Sequence, residues 1–93
     1  MIKSFKDKDA EELFRDRKAS KRLAPYAKAA LRKLDQIDVV DRVDELAIPP
    51  SNRLKKINSS DNSTWQIYIN DQYRVRFRWE SGHAYDVEVG NFH

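Results

Sequence analysis

The sequence predicts an α+β domain: an N-terminal strand, two or three helices, then a C-terminal antiparallel meander forming a curved sheet. Three observations lead there. Apolar residues recur at helical spacing through the first half of the chain. Pro49-Pro50 then stops that pattern, because proline lacks the amide hydrogen and restricts the residue before it. In the second half apolar and polar residues alternate one by one, the period of half-buried strands.

Ile2 to Phe5 alternates apolar with polar and reads as a short strand. Ala10, Leu13, Phe14 and Arg17 lie at helical spacing. Asp9, Glu11 and Glu12 stand in the first turn, where acids suit the positive end of the helix dipole. The basic run Arg15 to Arg22 ends this helix or links it to the next. Pro25 is placed as the first residue of a second helix. That helix carries Ala27, Ala30, Leu31, Leu34 and Ile37 on one stripe, with Lys28, Arg32, Lys33 and Asp35 outside it. Val40, Val43, Leu46 and Ala47 indicate a short third helix before the prolines.

Arg53 to Ile57 reads as a weak strand. Trp65, Ile67 and Ile69 alternate with Gln66, Tyr68 and Asn70, and Asn70-Asp71-Gln72 makes a turn. Tyr73, Val75, Phe77 and Trp79 then alternate with Arg74, Arg76 and Arg78. The aromatic side chains therefore share one face and the arginines the other. Ser81-Gly82-His83 supplies a second turn. Tyr85, Val87 and Val89 form a last strand, with Asp86 and Glu88 expected on its opposite face. The aromatics are expected in the core rather than as stacking platforms for bases.

Ninety-three residues point to one domain, 1–93, without linkers or repeats. The absence of cysteine removes disulfides, thiolate metal sites and cysteine nucleophiles. With only His83 and His93, a multi-histidine metal site is excluded as well. Gly82 and Gly90 are the only glycines, too few for a glycine-rich phosphate loop. No apolar run is long enough to span a membrane, and the first residues lack the apolar stretch of a signal peptide. The expectation is a cytoplasmic protein without metal, cofactor or membrane partner.

The net charge is +3. It gathers in two basic zones, residues 1–24 and 51–82, separated by a nearly neutral stretch and followed by an acidic tail. Such a distribution permits a polyanionic partner through phosphate neutralisation. Guanidinium groups bind phosphate bidentately and stabilise developing charge on it. Asp86 and Glu88 are expected to pair across the sheet with Arg76 and Arg78, which leaves Arg74 as the preferred phosphate ligand. Arg53, Lys55 and Lys56 follow the proline stop. If a strand begins there, Arg53 and Lys55 share one face and offer a second phosphate contact. His93 can accept or donate a proton near neutral pH, although terminal residues are commonly frayed. His83, in a turn, is expected to be solvated.

Along essentially its whole length the chain resembles the HigB branch of the RelE/ParE toxin superfamily. The resemblance is carried by Met1-Ile2-Lys3-Ser4-Phe5 with Leu13-Phe14, and by Pro49-Pro50-Ser51-Asn52-Arg53-Leu54. It continues through Trp65-Gln66-Ile67, the stretch Ile69 to Trp79, and Ala84 to Val89 followed by the C-terminal His93. It implies a ribosome-dependent endoribonuclease that cleaves mRNA during translation, and a neighbouring helix-turn-helix antitoxin as partner. By the same resemblance Arg74 matches the active-site arginine and His93 the C-terminal histidine. Lys55 lies near where basic or histidine side chains serve in relatives. Arg53, Arg76, Asn91 and Phe92 are the expected substrate contacts. The family usually ends Asp-Tyr-His, whereas this chain ends Asn91-Phe92-His93, so a carboxylate and a phenol are replaced. That departure keeps open a non-catalytic toxin on the same scaffold, such as a ParE-like gyrase inhibitor or a member whose nuclease has decayed. A small basic domain acting only within a complex is a third reading. The basic run Arg15 to Arg22 is the expected antitoxin surface.

Overall fold

The computed structural model describes residues 1–57 and 63–92. Helix α1 spans Lys8–Asp16. The Asp7 carboxylate caps it by accepting the Asp9 amide at 3.1 Å, and Arg17 closes it in the left-handed region at φ 60°. An N-cap of this kind stabilises a helix by about 1 kcal/mol. Ala10 and Leu13 are its buried residues.

Helix α2 spans Ala27–Val39 and buries Ala30, Leu34 and Ile37. It begins later than expected. Pro25 lies in a separate 3₁₀ turn, Ala24–Tyr26, and the backbone leaves helical geometry at Tyr26 before α2 starts. The third helical segment is a 3₁₀ turn, Val43–Ala47, that buries Leu46. The proline stop then forms its own 3₁₀ turn, Pro50–Asn52.

Among the described residues four antiparallel strands follow in sequential order: β1 (Lys55–Lys56), β2 (Thr64–Tyr68), β3 (Arg74–Glu80) and β4 (His83–Gly90). The β2–β3 turn is held by Asn70, whose side-chain oxygen accepts the amides of Gln72 and Tyr73 at 2.8 Å each. The β3–β4 turn is shorter than expected. Ser81 and Gly82, at φ 52° and 81°, make a two-residue hairpin, and His83 already belongs to β4.

The N-terminal strand appears as two parallel bridges to β4, Ile2 to Ala84 and Phe5 to Val87. Between them β4 bulges. Arg76 faces Glu88 but Arg78 faces Tyr85, so β4 spends one extra residue opposite Phe77. Asp86 absorbs it at φ 53°. The bulge corrects the expected facing of the last strand. Tyr85 stands on the arginine face, with the Arg78 guanidinium 4.7 Å from its ring, while Val87 and Val89 remain in the core.

The core lies between the helices and one sheet face. Leu13, Leu23, Leu34, Ile37 and Leu46 meet Ile67, Val75, Phe77 and Val87 there, all essentially without solvent exposure. The other sheet face carries Gln66, Arg74, Arg76, Arg78 and Glu88 in register. No helix among the described residues is long and apolar enough to cross a membrane.

Candidate functional site

Strand register assembles the site. Residues opposite one another in antiparallel strands point to the same face. One rung therefore runs Lys55–Gln66–Arg76–Glu88, and the next runs Tyr68–Arg74–Gly90.

On the first rung Arg76 Nε donates to Gln66 Oε1 at 3.1 Å. Its guanidinium carbon lies 4.4 Å from the centre of the Phe92 ring. Gly90 makes that stack possible: a Cβ there would lie 3.0 Å from the Phe92 ring. The expected pairing of Arg76 with an acid does not occur, because Glu88 turns to Lys6 at 3.5 Å. Arg78 does pair as expected, with Asp86 at 3.4 Å, and also with Glu80. Lys55 is exposed on the same face as Arg76, across Gln66. Beside this rung opens a hollow of 280 Å³, lined by Lys6, Thr64, Arg76, Arg78, Asp86 and Glu88 among others.

On the second rung Arg74 is only 5% exposed. Its Nη1 donates to the carbonyls of Asn70 at 2.7 Å and Tyr73 at 3.2 Å, and its guanidinium carbon lies 3.4 Å from the Tyr68 ring centre. Arg53 reaches the same ring at 5.1 Å. Hydrogen bonding from Arg74 draws the Tyr68 phenol below its ordinary pKa; Arg74's charge and Arg53 add to this, against a smaller opposing effect of desolvation. Among the described residues no carboxylate forms an ion pair with Lys55, Arg74 or Arg76.

Arg53 is aimed by its neighbour. Asn52 is fully buried, and its amide donates to the Leu46 carbonyl and to Gln36 Oε1, each at 3.0 Å. Its oxygen accepts from Lys33 Nζ. This anchor sets the turn whose last step holds Arg53 at φ 47°.

The structure thus brings Arg53, Lys55, Arg74, Arg76 and Phe92 to one sheet face. Asn91 is exposed beside Phe92. His93 lies outside the described residues. Sequence reasoning missed Gln66, Tyr68 and the anchoring role of Asn52. For Gln66 and Tyr68 the signal was present, since both alternate with Trp65 and Ile67 and so face away from the core. Among the described residues no group of three or more His, Asp or Glu side chains is placed to hold a metal.

A family described as the RelE-like toxin of the type II toxin–antitoxin system HigB matches residues 3–92. The chain belongs to this HigB-like toxin family. It is 36% identical to Toxin HigB-1 of Vibrio cholerae serotype O1 over 86 residues, which cover 90% of each chain. It is also 32% identical to an uncharacterized protein of Haemophilus influenzae over 66 residues, covering 71% of this chain and 60% of that protein.

As a type II toxin, this HigB-like chain has an antitoxin as its partner. The basic run expected to receive that partner is largely engaged within the fold. Arg15 pairs with Glu11, Arg17 with Asp35, and Arg22 with both Asp7 and Asp9. Arg22 Nη1 also donates to the Val89 carbonyl at 2.8 Å, while Asp7 accepts the Val89 amide at 3.1 Å. These bonds fasten the end of β4, from which Phe92 extends.

Proposed function

We propose that this HigB-like toxin is a ribosome-dependent endoribonuclease that cuts mRNA during translation in the cytoplasm. The observation that carries the reading is the Lys55–Gln66–Arg76 rung: two cations on an open sheet face, neither paired with a carboxylate among the described residues, with an aromatic ring stacked on one of them. A phosphodiester laid across this rung meets positive charge from both sides, and the partly exposed Phe92 ring is placed to stack on a base.

The reaction is attack of a ribose 2′-hydroxyl on the adjacent phosphate. A bond forms from the 2′-oxygen to phosphorus and the bond to the 5′-oxygen breaks. The products are a 2′,3′-cyclic phosphate and a 5′-hydroxyl. A base takes the 2′ proton, an acid protonates the leaving 5′-oxygen, and cations stabilise the crowded phosphate between them. Lys, Arg and His suffice for these tasks without a cofactor. His93 is assigned proton transfer, Lys55 and Arg76 the phosphate, and Arg74 added positive potential beside Tyr68. Arg53 and Asn91 contact the flanking strand.

The test is a translation reaction on a defined mRNA, with and without ribosomes, mapping new 5′ ends. Cuts that require ribosomes are expected from the wild type. His93→Ala and Arg76→Gln are each expected to lower cleavage at least tenfold, about 1.4 kcal/mol of transition-state stabilisation. Arg78→Gln, whose charge is already spent on Asp86 and Glu80, is expected to stay within about threefold. Undiminished cutting by both His93→Ala and Arg76→Gln refutes the assignment.

Asn91 and Phe92 support a second reading, a toxin that binds its target without cutting RNA. Growth arrest by folded protein without any mRNA cuts would establish it. Gyrase-dependent DNA breaks in those cells would identify a ParE-like mode.

A further inference from the structure

A second hollow, of 220 Å³, opens at the other end of the open face, beside Tyr68. Three separate elements line it: Lys33 from α2, Ser51 and Arg53 from the proline turn, and Tyr68, Ile69, Asn70 and Asp71 from β2 and the turn after it. Its charge is lopsided. Lys33 and Arg53 face it, Arg74 lies against Tyr68, and Asp71 is the one carboxylate in the lining among the described residues. None of these three cations forms an ion pair with a carboxylate among the described residues.

The fold holds each of these cations in place. Lys33 Nζ is tied to the buried Asn52, which leaves it two further hydrogens to donate. Desolvation, with Arg32 nearby, lowers the Lys33 pKa. Arg53 is held in a left-handed backbone position by the same asparagine turn. Arg74 is fixed by two carbonyls of the β2–β3 turn. Cations that outnumber the carboxylate beside them leave an excess of positive charge, and an arrangement built this firmly suits an anion that visits it.

We propose that the hollow of Lys33, Ser51, Arg53 and Tyr68 is an anion subsite that takes a backbone phosphate of single-stranded RNA, next to the phosphate bound at Arg76. The RNA part of this assignment rests on the nuclease reading above. Tyr68 stands two residues from Gln66 on the same strand face, about 7 Å away, a spacing on the scale of one nucleotide step. The two rungs together thread the strand from the Phe92 stack toward the proline turn.

The first arm of the test is a nuclear magnetic resonance titration of the whole chain with inorganic phosphate. Saturable shifts are expected at the Arg53 Nε–Hε and Tyr68 ring signals. Lys33→Gln, which keeps a donor for Asn52, and Arg53→Gln are each expected to weaken phosphate binding at least fivefold in protein that remains folded by circular dichroism. The second arm measures binding of a non-cleavable 2′-O-methyl pentanucleotide against salt. Arg53→Gln is expected to reduce the slope of log affinity on log salt by about 0.7, one phosphate contact on a single strand. Shifts confined to Lys55 and Arg76, with an unchanged salt slope, overturn the subsite even if the wild type cuts mRNA. Phosphate capture at Arg53 by a chain that cuts no mRNA keeps the anion site and retires the nuclease reading.

Discussion

Replacing Asn52 by alanine tests how the proline turn is held. The asparagine is fully buried and bonds to two segments: Lys33 and Gln36 of α2, and the stretch that carries the Leu46 and Ile48 carbonyls. Gln36 and Lys33 are partly exposed and can turn to water. The Leu46 carbonyl belongs to a residue with no exposure, and its orphaning costs about 1–3 kcal/mol. Losing the charged bond from Lys33 and leaving a small void raises the total to about 2–4 kcal/mol. For a domain this size that lowers Tm by roughly 10–30 °C. Urea unfolding of wild type and Asn52→Ala reads the difference directly, and a cycle with Gln36→Ala isolates their coupling. A loss below about 1 kcal/mol with an unchanged m-value would show that water replaces the asparagine and that the turn is held by its prolines.

Gly90→Ala brings a methyl to 3.0 Å from the Phe92 ring and should displace it from Arg76. Loss of the ring-current shift at the Arg76 side chain, with cleavage reduced about tenfold, is the expected result, and an unshifted Arg76 signal contradicts it. Arg22→Gln should release the Val89 carbonyl and loosen Asp7, so hydrogen exchange at the Val89 amide should rise at least tenfold while Ile67 stays protected. In a spectroscopic titration Tyr68 should ionise below the ordinary tyrosine range and Tyr26, whose burial raises its pKa, above it. Arg74→Gln should move only the Tyr68 step upward. Because the folded Tyr68 pKa is depressed, its contribution to stability is fully present above the unfolded tyrosine pKa. That contribution is lost as pH falls through the folded value.

Much of this fold could be read from periodicity. The α2 stripe and the alternation in β2 and β3 placed the core because burial enforces those periods. What escaped depends on single residues without a local signal. Asp86 adopts a left-handed conformation that glycine or asparagine would have advertised, and its bulge moved Tyr85 to the other face. Pro25 fits the first turn of any helix, so it could not separate a 3₁₀ turn from α2. The candidate site was legible as a set of cations, since strand parity alone puts Arg74 and Arg76 together. Which of them is committed was not legible. Arg74 is sunk against Tyr68 and two turn carbonyls, Arg22 is consumed by Asp7 and Asp9, and Glu88 turns to Lys6 rather than Arg76. Those choices depend on contacts between residues distant in sequence.

The parallel bridges of Ile2 and Phe5 to β4 join the earliest part of the chain to one of its latest. Lys3 donates to the Ala84 carbonyl at 2.8 Å and Lys6 to the Val87 carbonyl at 2.9 Å. Closing so long a loop costs chain entropy, which the contacts made on closure must offset. Gly90 and Phe92 follow the segment that these bonds seat. The bridges therefore tie the N-terminal segment to the strand from which Phe92 reaches the Arg76 guanidinium.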